Sequence, residues 1–166
     1  MSATAAKNQL TRKRTPMTPP TEALRHPADP AQPAVPCLPW DCHAKILVMD
    51  DEELVCRMLV NMLTPYGFSV ATAPGGQEAL AMYQQAMAAG APFDVVIMDL
   101  TIPGGIGGRK AITNLLAFDP QATAIVSSGY VDSPVMLNYA DYGFKGVAAK
   151  PYTPDHLLEV LAQVLN

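Results

Sequence analysis

From Lys45 onward, short apolar runs alternate with segments of helical periodicity, and this alternation is the strongest constraint on the fold. The apolar runs are Ile46–Met49, Phe68–Thr72, Val95–Met98, Ala124–Val126 and Val147–Ala149. Four of them are apolar throughout, as strands covered on both faces by helices are. In the second, Phe68, Val70 and Thr72 alternate with smaller residues. Between the runs, Val55, Met58, Leu59, Met62 and Tyr66 fall at helical spacing. So do Ala79, Leu80, Tyr83 and Met87, then Ile112, Leu115 and Leu116, and finally Leu157, Leu158, Leu161, Val164 and Leu165. Ser133-Pro134 and Thr153-Pro154 each set an N-cap hydroxyl before a Pro at the first helical position. Pro65 is expected to end the first helix early. Five β-α units in succession predict an α/β fold: a five-stranded parallel sheet, doubly wound in the order 2-1-3-4-5.

The first 43 residues follow another rule. They hold 8 of the 16 Pro residues and show neither a helical nor an alternating pattern. Five basic residues stand there against three acidic ones, whereas the rest of the chain has 6 basic and 12 acidic. Residues 1–43 therefore read as a Pro-rich flexible leader and 44–166 as one folded domain. A net charge of −4 disfavours a nucleic-acid partner. No apolar run is long enough to span a bilayer, and no apolar block follows the basic residues near the N-terminus. With three Cys, too few for a disulfide scaffold, the expectation is a cytoplasmic protein. Cys37, Cys42 and His43, with His26, are too loosely spaced for a convincing zinc site. Trp40 reads as a small apolar anchor and Cys56 as a packed thiol on the first helix.

The chemistry collects at the carboxyl ends of the strands, where open α/β sheets bind ligands. The first strand ends in Asp50-Asp51-Glu52-Glu53, the third in Asp99, the fourth in Ser127-Ser128-Gly129 and the fifth in Lys150-Pro151. In the expected order the first and third strands are neighbours, so Asp50, Asp51 and Asp99 converge. Three carboxylates in one place repel one another and call for a cation. A hard divalent ion such as Mg²⁺ answers that, with Lys150 as a second positive charge and the Ser128 hydroxyl as a donor to an anion between them. Taken singly, each residue has a plainer reading: a strand-end Asp as a turn residue, an acidic run as the first turn of a helix. Their arrival from four strands at one edge favours a site that handles a phosphoryl group.

These strings resemble the response-regulator receiver domain of two-component signalling. The resemblance covers roughly residues 44–166 and is carried by Ile46-Leu47-Val48-Met49-Asp50-Asp51-Glu52, Asp94-Val95-Val96-Ile97-Met98-Asp99-Leu100, Ile125-Val126-Ser127-Ser128-Gly129 and Ala149-Lys150-Pro151-Tyr152. It implies a flavodoxin-like receiver fold in which Asp99 accepts a phosphoryl group from the phosphohistidine of a sensor histidine kinase or a histidine phosphotransfer protein. It implies that Asp51 binds Mg²⁺ directly, Asp50 through water, and that Asp99 and the main-chain carbonyl of Thr101 complete the protein ligands. Ser128 matches the family's switch hydroxyl and Lys150 its lysine, with a Lys150-Pro151 peptide that is typically cis. The downstream target is a protein the sequence does not name.

Two departures stand out. The aromatic residue of the family's best-known switch, three positions before the lysine, is Val147 here. The string Asp99–Gly108 is richer in Gly than the usual loop, which likens the chain to receivers at the C-terminus of hybrid sensor histidine kinases. Tyr130, Tyr139, Tyr142 and Phe144 are either a partner surface or ordinary core and rim aromatics. Because the sequence stops at Asn166, just after the last helix, no separate output enzyme is expected. The alternative is a phosphatase of the haloacid-dehalogenase kind with Asp99 as nucleophile. It wants a second Asp two residues on, where Thr101 stands.

Overall fold

The computed structural model describes residues 43–165. Residues 1–42 of the leader, with Cys37, Cys42, His26 and Trp40, lie outside the described residues. In chain order the elements are β1 (Lys45–Met49), α1 (Glu53–Leu63), β2 (Ser69–Ala73), α2 (Gly76–Ala88), β3 (Val95–Asp99), α3 (Gly108–Phe118), β4 (Ala124–Ser128), α4 (Pro134–Leu137), β5 (Gly146–Ala149) and α5 (Pro154–Leu165). All four pairings are parallel and the strand order is β2-β1-β3-β4-β5. The expected fold class and order both stand.

The period of two along each strand divides the core. Ile46, Val48, Val95, Ile97 and Ile125 pack on one face with Leu59 and Leu63 of α1 and Leu157 and Leu161 of α5. Leu47, Met49, Val96, Met98 and Val126 pack on the other with Ala79 and Tyr83 of α2 and Ile112 and Leu115 of α3. Wholly apolar strands are thus explained: every position faces a helix layer.

Some expectations shift. β2 runs one residue later than read, because Phe68 is buried in the α1/α5 core ahead of the ladder and Ala73 is its last paired residue. β4 extends to Ser128, so both serines are strand residues. Met58 and Met87, though at helical spacing, are partly exposed. Pro65 does end α1, inside a 3-10 turn at Thr64–Tyr66 closed by Gly67 in the left-handed region (φ 91°). The fourth helix is a single turn. Ser133 caps it, accepting from the Met136 N–H, but Asn138 leaves helical geometry and a 3-10 turn follows over Tyr139–Tyr142. Thr153 caps α5 through the His156 N–H. No helix among the described residues is long and apolar enough to cross a membrane.

Candidate phosphoryl site

Parallel strands end at a common rim, and this rim carries the expected residues. Asp50 follows β1 and is tied down from several sides. Its N–H donates to the Ala73 carbonyl at 3.0 Å, and its Oδ1 accepts from the Glu52 N–H at 2.9 Å. Its carbonyl accepts from the Cys56 thiol at 3.4 Å. Asp99 is the last residue of β3, in register with Ser127 of β4. Asp50 and Asp99 are both buried, whereas Asp51 is exposed. One carboxylate oxygen from each of Asp50, Asp51 and Asp99 lies within 4.8 Å of the others. Three hard oxygen donors that close together fit a Mg²⁺ ion.

Lys150 enters from the end of β5. Its Nζ donates to Asp50 Oδ2 at 2.6 Å and lies 3.1 Å from Asp99 Oδ1, with Glu52 Oε1 farther off at 3.9 Å. Its own N–H donates to the Ser128 carbonyl at 3.0 Å, and the Lys150-Pro151 peptide is cis. Burial works against the ammonium charge, but the hydrogen bond to Asp50 and the nearby Asp99 overcome it and raise its pKa. Burial lifts the Asp99 carboxyl above its ordinary value, and Lys150 and the Thr101 N–H offset only part of that lift. The rim is therefore charged at a cost.

Ser128 is buried at the end of β4, and its Oγ accepts from the Tyr130 N–H at 3.0 Å. With that lone pair engaged, its proton can be given to an acceptor in the cleft. The cleft itself is lined by Glu52, Asp99, Thr101, Ser128, Tyr130 and Lys150, among others. All six residues expected at the site, Asp50, Asp51, Asp99, Thr101, Ser128 and Lys150, thus stand at this one rim. His43 and His156 are exposed and stand outside the cleft and the acidic cluster.

The Gly-rich loop acquires a steric reason. A Cβ on Gly107 would lie 2.4 Å from the Leu100 carbonyl oxygen, and one on Gly108 would lie 2.9 Å from that of Asp99. The start of α3 thereby seats directly against the chain leaving β3. The Gly76 N–H donates to the Ile106 carbonyl at 2.9 Å, tying this loop to the start of α2.

Of the four aromatics weighed for a partner surface, Phe144 is core, Tyr139 and Tyr142 are half-buried, and Tyr130 is 77% exposed beside the cleft. The Arg109 guanidinium lies 5.6 Å from the centre of the Tyr142 ring. One contact near the site was not anticipated: the Ser127 and Tyr152 hydroxyls meet at 2.5 Å. Its trace in the sequence is a hydroxyl at two positions where a buried strand and a core-facing loop otherwise call for apolar side chains.

Comparison with known proteins agrees with this geometry. The family model described as the response regulator receiver domain matches residues 46–162. The chemotaxis protein CheY of Thermotoga maritima is 31% identical over 121 residues, which cover 72% of this chain and 96% of that protein. Among solved structures, the CheX-CheY-BeF3-Mg complex of Borrelia burgdorferi superposes with a TM-score of 0.68 at 25% identity. It covers 74% of this chain and 90% of the matched one. The response regulator TrrA of Thermotoga maritima, in complex with Mg²⁺ and BeF, gives a TM-score of 0.63 at 26% identity, covering 74% and 99%. None of these three is a hybrid kinase or a haloacid-dehalogenase hydrolase. The chain therefore belongs to the response-regulator receiver domain family.

Proposed function

We propose that Asp99 is the phosphoacceptor and that the donor is the phosphohistidine of a sensor histidine kinase or a histidine phosphotransfer protein. An Asp99 carboxylate oxygen attacks the phosphorus, the P–N bond breaks, and its electron pair returns to the departing imidazole. The product is an acyl phosphate on Asp99, which water later hydrolyses. The observation that carries this reading is Lys150, 2.6 Å from Asp50 and 3.1 Å from Asp99, beside the third carboxylate of Asp51.

Asp50, Asp51 and Asp99, with the Thr101 carbonyl, are the residues that would hold Mg²⁺. When bound, the ion would neutralise charge on the phosphoryl oxygens. This chain's own groups do the rest. Lys150 neutralises a further oxygen, and the Ser128 hydroxyl donates a hydrogen bond to another. Phosphorylation replaces one negative charge by about two and adds three strong acceptors. Lys150 and Ser128 are drawn toward them, together with the ends of β4 and β5. With Val147 in place of an aromatic, the response is carried by the loops and the short α4. A downstream protein reads that surface. Residues 44–166 form the receiver and 1–43 its leader. We place the protein in the cytoplasm, as a signalling domain that phosphorylates and dephosphorylates itself, and with no nucleic-acid or membrane partner.

The test is intact mass after incubation with Mg²⁺ and acetyl phosphate. A gain of one phosphoryl group, abolished in Asp99→Asn, is expected. No gain in the wild-type chain, or an undiminished gain in Asp99→Asn, overturns the assignment.

A further inference from the structure

Ser127 and Tyr152 form a buried hydroxyl pair that phosphoryl transfer itself does not use. Ser127 is 1% exposed and Tyr152 8%. Tyr152 is packed in the α1/α5 core, where burial pushes its phenol up to about 12, so it keeps its proton at neutral pH. A Phe and an Ala would fill the same space without polar groups. A neutral hydrogen bond that replaces apolar packing adds little net stability. What the pair adds is direction.

Its neighbours show what is being directed. The Ser127 carbonyl accepts from the Leu100 N–H at 2.8 Å, one residue past Asp99. The Ser128 carbonyl accepts from the Lys150 N–H. The next residue, Pro151, has no N–H, so the ladder between β4 and the chain leaving β5 stops there. The Tyr152 hydroxyl supplies the following link, back to the strand that carries Ser128.

Resting on the reading of Asp99 given above, we propose that Tyr152 is a positioning residue. Through Ser127 it holds Lys150 within reach of Asp99 and makes the Ser128 strand and the Lys150 loop shift as one body. A chain with Val147 at the aromatic switch position would thereby retain a mechanical tie between its hydroxyl and its lysine.

The full chain with Mg²⁺ tests this with Ser127→Ala, Tyr152→Phe and the double variant. Three readings are taken: the rate of phosphorylation by acetyl phosphate, Tm, and the ¹⁵N signal of the Lys150 ammonium. Each single variant leaves one hydroxyl buried without its partner and lowers Tm, and the double variant recovers Tm because both hydroxyls are gone. The rate is expected to fall about tenfold in all three, the double no worse than the singles. The Lys150 signal is expected to broaden in all three. A double variant that regains the wild-type rate along with Tm, or single variants that keep the wild-type rate, overturns the proposal. Should the wild-type chain accept no phosphoryl group, the reading of Asp99 falls. The tie is then judged on the Lys150 signal alone, and a signal unchanged in the double variant overturns it.

Discussion

Asp50 and Lys150, a hundred residues apart in the chain, meet at 2.6 Å across the rim of the sheet. The same ammonium lies 3.1 Å from Asp99, so a single cation compensates two buried carboxylates. Drawing Lys150 toward a new anion on Asp99 weakens its hold on Asp50. The starting position is thus already a compromise.

Lys150→Ala leaves both carboxylates uncompensated. A fully buried pair that loses one partner costs about 3–5 kcal/mol. The Lys150 side chain is 17% exposed, so the loss expected here is smaller, about 1–3 kcal/mol. Urea denaturation in EDTA at neutral pH measures it. The raised Lys150 pKa makes this contribution complete below the ordinary lysine range, and it is lost only as alkaline pH rises through the folded-state value.

Asp99 is also raised, so stability again falls as pH rises, but here it is the charged form that burial disfavours at neutral pH. Its carboxyl is raised by burial, so in the folded state its ionised form is less favourable than in the unfolded chain. Stability from this group is full below the ordinary carboxylate range and declines as pH rises through the raised value. Asp99→Asn removes the charge and is expected to raise Tm at neutral pH. It should also flatten the part of the acid-side profile that Asp99 causes. Tm against pH for both proteins in EDTA decides; an equal or lower Tm for the variant at neutral pH counts against the assignment.

Mg²⁺ is expected to raise Tm, by a free energy of about 2.7 kcal/mol once its concentration is a hundredfold above Kd. Asp51 is the exposed member of the carboxylate cluster. Asp51→Asn therefore disturbs the fold little but weakens the ion, by more than the roughly 10–100-fold that outer partners of a metal contribute. Calorimetric titration with MgCl2 measures both. The same affinity in the variant would remove Asp51 from the ligand set.

Gly107→Ala would press a methyl group into the Leu100 carbonyl, 2.4 Å away. Backbone is the obstacle, so the strain is not relieved by a rotamer change, and a cost of about 1–3 kcal/mol is expected. Denaturation midpoints measure it. An unchanged midpoint would show that the loop after β3 can yield.

How much of this was legible in the sequence depended on how local each cause was. Ile46–Met49 and Val95–Met98 announce themselves because burial on both faces leaves no polar position. Asp50, Asp51, Asp99, Ser128 and Lys150 were legible because parallel strands deliver their last residues to one edge. The fourth helix was legible only at its start. Ser133-Pro134 is a local signal, but the end is set by Asn138, whose side-chain amide donates to the Pro134 carbonyl at 3.1 Å. Gly143 then turns with φ 91°, where a Cβ would meet Leu116 of α3. The Ser127–Tyr152 contact could not be read from spacing, since only the pairing of β4 with β5 brings the two together.

The glycine seating of α3 makes the rim lopsided. Gly76, Gly107 and Gly108 clamp the flank beside Asp51 backbone to backbone, leaving that side little slack. The opposite flank holds a one-turn helix and the exposed side chains of Tyr130, Val131 and Leu137. Strain introduced at Asp99 is expected to relax through the second of these two walls, which has the fewer backbone-to-backbone seats. If Asp99 is the acceptor as proposed, the molecule would act as a one-way valve for displacement, stiff on the side that would hold the ion and yielding on the side open to a partner.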